Sequence, residues 1–156
     1  SSASTGAFTT LSATGVLTTG ANIATSGNML YDLGTATNPF RDVYCEDLVM
    51  ISDMRKKRDV EDLNYGLEHI LNLRPVSYKW LGRDRNHRVI GLIAQEVRSV
   101  VKEVVKVGSD KNQTMGVQYP NLVPVLIKAI QEQNALMKQQ EHRILMLEEK
   151  IINQNK

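Results

Sequence analysis

The sequence predicts an α+β protein that works as a homotrimer, with a β-rich N-terminal segment at residues 1–51, a small mixed α+β domain at 52–119 and a long C-terminal helix at 120–156. Three observations lead to this prediction: a threonine-rich repeat opens the chain, mixed strand and helix patterns follow, and a seven-residue apolar repeat closes it. Only 5% of the residues are aromatic, which is little for a chain that must bury a core alone.

The first 28 residues contain 21 Ser, Thr, Gly or Ala residues and no charged side chain. Within them, the segment 5–10 recurs nine residues later as 14–19, with a glycine, two apolar residues and two threonines in the same order. Such units are typical of β rungs in a shaft, and one chain of them buries too little apolar surface to offset its ordering entropy. We therefore expect several chains to wrap around each other; a flexible tether is the alternative.

Strand-like stretches divided by turn signals continue to the end of this segment. Val43, Cys45, Val49 and Ile51 alternate along one face, so the chain is expected to reach Ser52 as an extended strand. Cys45 is the only cysteine, which excludes an intrachain disulfide, and we expect its side chain to be buried.

The middle domain begins with a helix pattern. Asp59 is expected to cap a helix whose apolar stripe runs from Val60 to Leu71 and which ends before Pro75. The patterns after it predict a strand at 76–80, a strand at 88–93, a short helix at 94–101 and a hairpin of strands 104–107 and 114–119. These elements make a domain at the small end of what folds alone.

The stretch from Asn121 onward has a heptad pattern with a polar middle. Polar layers in such a pattern fix register and chain number, so it predicts a parallel trimeric coiled coil. The alternative is a single helix packed back on its own domain. One series is Val123, Ile130, Met137, Ile144 and Ile151, and its companion series is Leu126, Gln133, Gln140 and Leu147.

Composition argues against several function classes. The formal net charge is +2, and the basic residues are scattered among acids without a groove-reading motif, so no nucleic-acid partner is expected. The three histidines are isolated and no His/Cys pair has ligand spacing, so no metal and no cofactor are expected. No apolar run is long enough to predict a membrane span.

The basic run 52–58 begins with a serine and lies where the composition changes from charge-poor to charged. A lysine five residues after a serine can take the hydroxyl proton if burial or nearby cations lower its pKa. Lys57 stands at that spacing from Ser52, and Lys56 is the second candidate. On spacing alone, Ser52 could instead cap a helix, with both lysines in solvent.

Four motifs occur in a fixed order before the heptads, and together they resemble the peptidase S74 family. These domains are the C-terminal intramolecular chaperones of phage tailspikes and tail fibres, including endosialidases. The resemblance covers about residues 50–150. Its motifs are Ile51–Lys57, Leu73–Trp80, Gly91–Val97 and Tyr119–Pro124.

The resemblance implies that Ser52 is a nucleophile and Lys57 its general base, with Asp53, Gln95 and Glu96 as supporting residues. The bond cut would be 51–52, with 52–53 as the alternative, because the hydroxyl can reach the carbonyl on either side. Gln95 and Glu96 would orient the scissile strand or bond the oxyanion. A helix-capping role is the alternative for both.

The resemblance also implies a function. The domain would trimerise a phage fibre, hold its three chains in register while the β shaft folds, and then cut itself away. Its partners would be its own copies and the upstream β-fibre segment, acting in the host cytoplasm, while the mature fibre in the virion binds a host receptor or glycan. A non-proteolytic trimerisation and adhesion module and a free-standing hydrolase are the alternatives.

Overall fold

The computed structural model describes residues 14, 16, 18–20, 23, 32–81 and 87–155. The chain divides into two compact units, Ser1–Leu33 and Gly34–Lys156, which are described separately. The predicted β rungs of the first unit lie almost entirely outside the described residues. The β-rich shaft, and the domain boundary placed before Ser52, therefore stay predictions.

The second unit is mixed α+β with a long C-terminal helix, as the sequence predicts. Short 3-10 turns at Met54–Lys56, Lys102–Val104 and Tyr119–Asn121 separate its main elements. The helices are α1 (Leu67–Leu71), α2 (Ala94–Val100) and α3 (Leu122–Gln154), and the strands are β1 (Val76–Tyr78), β2 (Val89–Gly91), β3 (Val105–Val107) and β4 (Met115–Val117).

The four strands form two separate antiparallel pairs, β1 with β2 and β3 with β4. Val76 lies opposite Gly91 in the first pair, and Val105 lies opposite Val117 in the second. Both pairs were predicted from alternation and turn residues, and helix α2, which lies between them in the chain, was also predicted. The β3–β4 hairpin packs against α2, which places it beside the core.

The predicted helix starting at Asp59 is wrong over its first half. Residues 59–66 are not helical, and Asp59 has a left-handed φ of 52°. Val60, the first residue of the predicted apolar stripe, is 72% exposed and is therefore not part of a buried helix face. Helix α1 begins only at Leu67, with Gly66 as its N-cap.

A carboxylate from α3 determines where α1 begins. The backbone N–H of Leu67 donates to Glu132 Oε2 at 2.7 Å, which satisfies one of the free donors at the start of the helix. A Cβ on Gly66 would collide with the same carboxylate. A glycine is therefore needed where α1 meets α3.

The core lies between α2, the turn after it and the first turns of α3. It is small, and β-branched or short side chains dominate it. Its buried members are Val97, Val101, Val104, Leu122, Val125 and Ala129. Only three of α3's residues are buried, and all of them lie in its first eight positions.

The long helix has a second apolar face that its own domain leaves exposed. Five residues of the first heptad series are between 51% and 63% exposed, from Val123 at the start to Ile151 near the end. From Gln133 to Gln154 every α3 side chain is exposed. The helix thus packs on its own domain through one face, and its heptad face remains exposed in the single chain.

Residues 32–51 form no strand within the described chain. Cys45 is exposed, so the prediction of a buried cysteine is wrong. The reason is that none of the hydrophobic residues in this stretch is buried by the single chain. Among the helices that the structure describes, none could cross a membrane.

We expect Gly66→Ala to lower the free energy of unfolding by about 1 kcal/mol, because the new Cβ displaces Glu132 and removes the cap at Leu67. Urea unfolding measures this loss. Gly116→Ala is the matched control, since no atom lies within 4 Å of its Cβ position. In a Glu132→Ala background the cost of Gly66→Ala should shrink; equal costs in both backgrounds would contradict the cap.

Candidate active site

A tight 3-10 turn brings the serine and the lysine together. Asp53 caps the turn, its side chain accepting from the backbone N–H of Arg55 at 2.9 Å. The backbone N–H of Lys56 donates to the Asp53 carbonyl, and that of Lys57 donates to the Met54 carbonyl, both at 3.0 Å. The chain therefore reverses within one turn, and Asp53, rather than Ser52, is the capping residue.

Lys57 Nζ donates to Ser52 Oγ at 2.7 Å, which is the contact that the five-residue spacing predicts. Both residues are exposed in the single chain. In a serine–lysine pair that cleaves a peptide bond, the lysine acts as the general base that accepts the hydroxyl proton. The single chain has the geometry of such a pair at an exposed position.

Asp53 and Arg55 brace this turn with a paired side-chain contact. Arg55 Nη2 lies 2.6 Å from Asp53 Oδ2, and Arg55 Nε lies 3.1 Å from Oδ1. These side-chain bonds, followed by the backbone bond from Arg55, hold the pKa of the Asp53 carboxyl below its usual range. At neutral pH the carboxylate is therefore charged and keeps the turn closed.

The other two predicted support residues lie on α2. Gln95 is exposed there, and no side chain caps the helix, whose N-cap is Ile93. Glu96 instead pairs with Arg74, with Arg74 Nε donating to Glu96 Oε2 at 3.1 Å and a second bond joining Nη2 to Oε1. The hydrogen bonds from Arg74 hold the pKa of the Glu96 carboxyl below its usual range.

The structure adds a junction that sequence reasoning missed. The backbone N–H of Leu92 donates to the Tyr119 hydroxyl at 2.8 Å. A Cβ on Gly91 would lie 2.6 Å from that hydroxyl and 3.4 Å from the ring of Tyr78. Three of the four sequence motifs therefore meet at Gly91. The sequence feature that could have indicated this junction is the fixed order of the motifs along the chain.

No group of three metal-binding side chains occurs among the residues that the structure describes. The features that stand out are the serine–lysine pair, the braced turn and the two contacts that join distant motifs.

The comparison with known families gives one match. Residues 52–106 are similar to the Peptidase S74 family, described as the chaperone of endosialidase. The match begins at Ser52 and confirms the resemblance found in the sequence motifs. It supports a chaperone role. No curated protein matches the chain.

We expect the Arg74–Glu96 pair to stabilise the fold at neutral pH and to lose its effect in acid. The folded pKa of Glu96 lies below its unfolded value, so the stabilisation is complete above the unfolded value and disappears as pH falls through the folded one. Urea unfolding of wild type and Glu96→Gln across pH measures this. The two curves should converge in acid, whereas the control Glu61→Gln, an exposed carboxylate, should follow wild type throughout. A pH-independent gap would contradict the ion pair.

Proposed function

We propose that this chain is the self-cleaving intramolecular chaperone of a trimeric phage tail fibre or tailspike. It would hold three chains in register while the upstream β segment folds, and then cut next to Ser52. The observation that carries the proposal is the 2.7 Å contact between Lys57 Nζ and Ser52 Oγ at the first residue of the family match. The match and the long apolar helix face support the chaperone part.

The chemistry follows from the position of the hydroxyl. A neutral Lys57 takes the Ser52 proton while Oγ attacks the Ile51 carbonyl carbon, which closes a five-membered ring. The amide nitrogen of Ser52 then leaves with a proton from Lys57, and water hydrolyses the ester to a carboxylate and the free hydroxyl. Attack on the carbonyl of Ser52 itself would need a four-membered ring, so we favour cleavage at 51–52 over 52–53.

Assembly supplies the surroundings that the single chain lacks. Ser52 and Lys57 are exposed, and Met50, Ile51 and Met54 beside them are 58%, 78% and 81% exposed. A neighbouring chain that covers these apolar side chains would also remove water from the amine, which favours its neutral form. Cutting is then coupled to correct assembly.

The heptad face of α3 is the surface through which we propose that the chains assemble. Its apolar side chains are about half exposed along the whole helix, and they use a face other than the one that packs on the domain. Gln133 and Gln140 would form polar layers that fix the register of three parallel helices. The parent fibre belongs to the virion, where its host receptor or glycan partner would be recognised.

The supporting residues have different proposed roles. Asp53 keeps the turn closed through Arg55, so it positions the pair. Glu96 acts at a distance by tying α2 to Arg74. Contact of Gln95 or Glu96 with the scissile strand stays a prediction, because it requires the assembled form.

A non-proteolytic trimerisation and adhesion module is the second candidate. The observation that favours it is that Ser52 and Lys57 are both exposed in the single chain. The helix face and the family match would serve this function equally well. Self-cleavage separates the two candidates.

We expect the wild-type chain to yield two fragments that meet at Ser52, and Ser52→Ala to remain intact. Lys57→Ala should slow cleavage by about 10²–10⁴-fold, as loss of a general base does. Denaturing gels with intact mass of every band measure this. Lys56→Ala is the matched control and should be cut at the wild-type rate. If the wild-type chain stays intact as a folded trimer, self-cleavage is contradicted and the non-proteolytic module is favoured.

We expect the wild-type chain to be a trimer by light scattering, and Ile144→Glu to dissociate it by placing charge in the apolar seam. Gln139→Glu adds the same charge off the seam and should leave the trimer intact. Ile144 is exposed and lies beyond the part of α3 that packs on the domain, so the fold should survive. Full-rate cleavage by a monomeric Ile144→Glu chain would contradict coupling to assembly.

A further inference from the structure

The segment upstream of Ser52 contains a turn with a fixed shape. The backbone N–H of Thr35 donates to the Asn38 carbonyl at 3.2 Å, and that of Asn38 donates to Thr35 Oγ1 at 3.0 Å. Gly34 adopts a left-handed φ of 83°, and a Cβ there would lie 3.2 Å from the Phe40 ring. Residues 34–40 therefore form a defined turn, which we call the upstream turn.

The loop between β3 and β4 is also held by hydrogen bonds, and it contacts the upstream turn. Thr114 donates its backbone N–H and its hydroxyl to the Asp110 carboxylate at 3.0 and 2.9 Å. A Cβ on Gly108 would lie 2.6 Å from Ala36 Cβ, whereas Gly116 in the same hairpin has no atom within 4 Å of its Cβ position. The close approach to the upstream turn is thus found at Gly108 and not at Gly116, and a Cβ at residue 108 would require Ala36 and the Asp110 carboxylate, 2.5 Å away, to shift.

This contact joins the two sides of the proposed cut. The compact unit runs from Gly34 to Lys156 and so includes residues on both sides of Ser52. The fibre segment is held at two points, at Gly108 through Ala36 and at the turn that follows Ser52. Breaking the peptide bond removes only the second of these.

We propose that the loop end of the β3–β4 hairpin is a docking site for the fibre segment, with Gly108 receiving the upstream turn, and that this contact keeps the fibre piece on the domain after the chain is cut. The part concerning the cut chain rests on the proposed self-cleavage. Cleavage and release are then separate steps. Ala36 is exposed in the single chain, so the contact covers only part of its side chain.

The first test is a disulfide between the two partners in the uncut chain. Ala36→Cys with Gly108→Cys, in a background of Cys45→Ser and Ser52→Ala, should lose both thiols on mild oxidation, since the Cβ atoms need part by only about 1 Å to reach disulfide distance. Ala36→Cys with Gly116→Cys should keep both. Peptide mass mapping identifies the link. If the chain with Ala36→Cys and Gly108→Cys folds but both of its thiols stay reduced, the proposed docking site is wrong.

The second test leaves the hairpin unchanged and serves also if the cysteine variant does not fold. In the cut wild-type chain, the piece 1–51 should stay with 52–156, and Ala36→Arg should release it about fivefold faster, by dissociation measured on gel filtration. Thr37→Arg, on the same turn, should release it at the wild-type rate. Equal rates for all three chains would overturn the proposal. A chain that never cuts would refute self-cleavage only, because the disulfide test uses the uncut chain.

Discussion

The packing of α2 against the first turns of α3 is the constraint on which the rest of the structure depends. Val97 and Val101 meet Leu122 and Val125 in the one buried cluster of the described chain. Because the cluster uses one face at the start of α3, it fixes the direction of the helix and leaves the heptad face outward. Helix α1 packs against α3 and the β3–β4 hairpin packs against α2, so these short elements are held by contacts with the two helices.

Contacts between distant motifs surround this core, while the serine–lysine pair lies on a local turn. Arg74 reaches Glu96 on α2, and Tyr119 reaches Leu92 just before α2. Glu96, which the sequence offers as a supporting residue for chemistry, therefore also ties the chain around α2. In the function proposed above, proton transfer would depend on what covers Ser52.

Local patterns predicted the parts of the fold whose causes are local. Alternation and turn residues predicted both strand pairs, and the seven-residue apolar repeat predicted the long helix. The prediction of where α1 begins failed because the residue that caps the helix is Glu132, which is 65 residues away from Leu67. The 2.7 Å serine–lysine contact followed from a five-residue spacing, whereas the Arg74–Glu96 pair spans 22 residues and needed the folded chain.

The compactness of the turn has a consequence for what can be joined upstream of it. The contacts that shape it run between Ser52 and Lys57 and between Asp53 and Arg55, so the whole arrangement is encoded in six consecutive codons. A different upstream segment can therefore be joined before Ser52 without changing any residue that makes these bonds. The geometry of the serine–lysine turn is in this sense portable, because it belongs to the turn and not to the sequence before it.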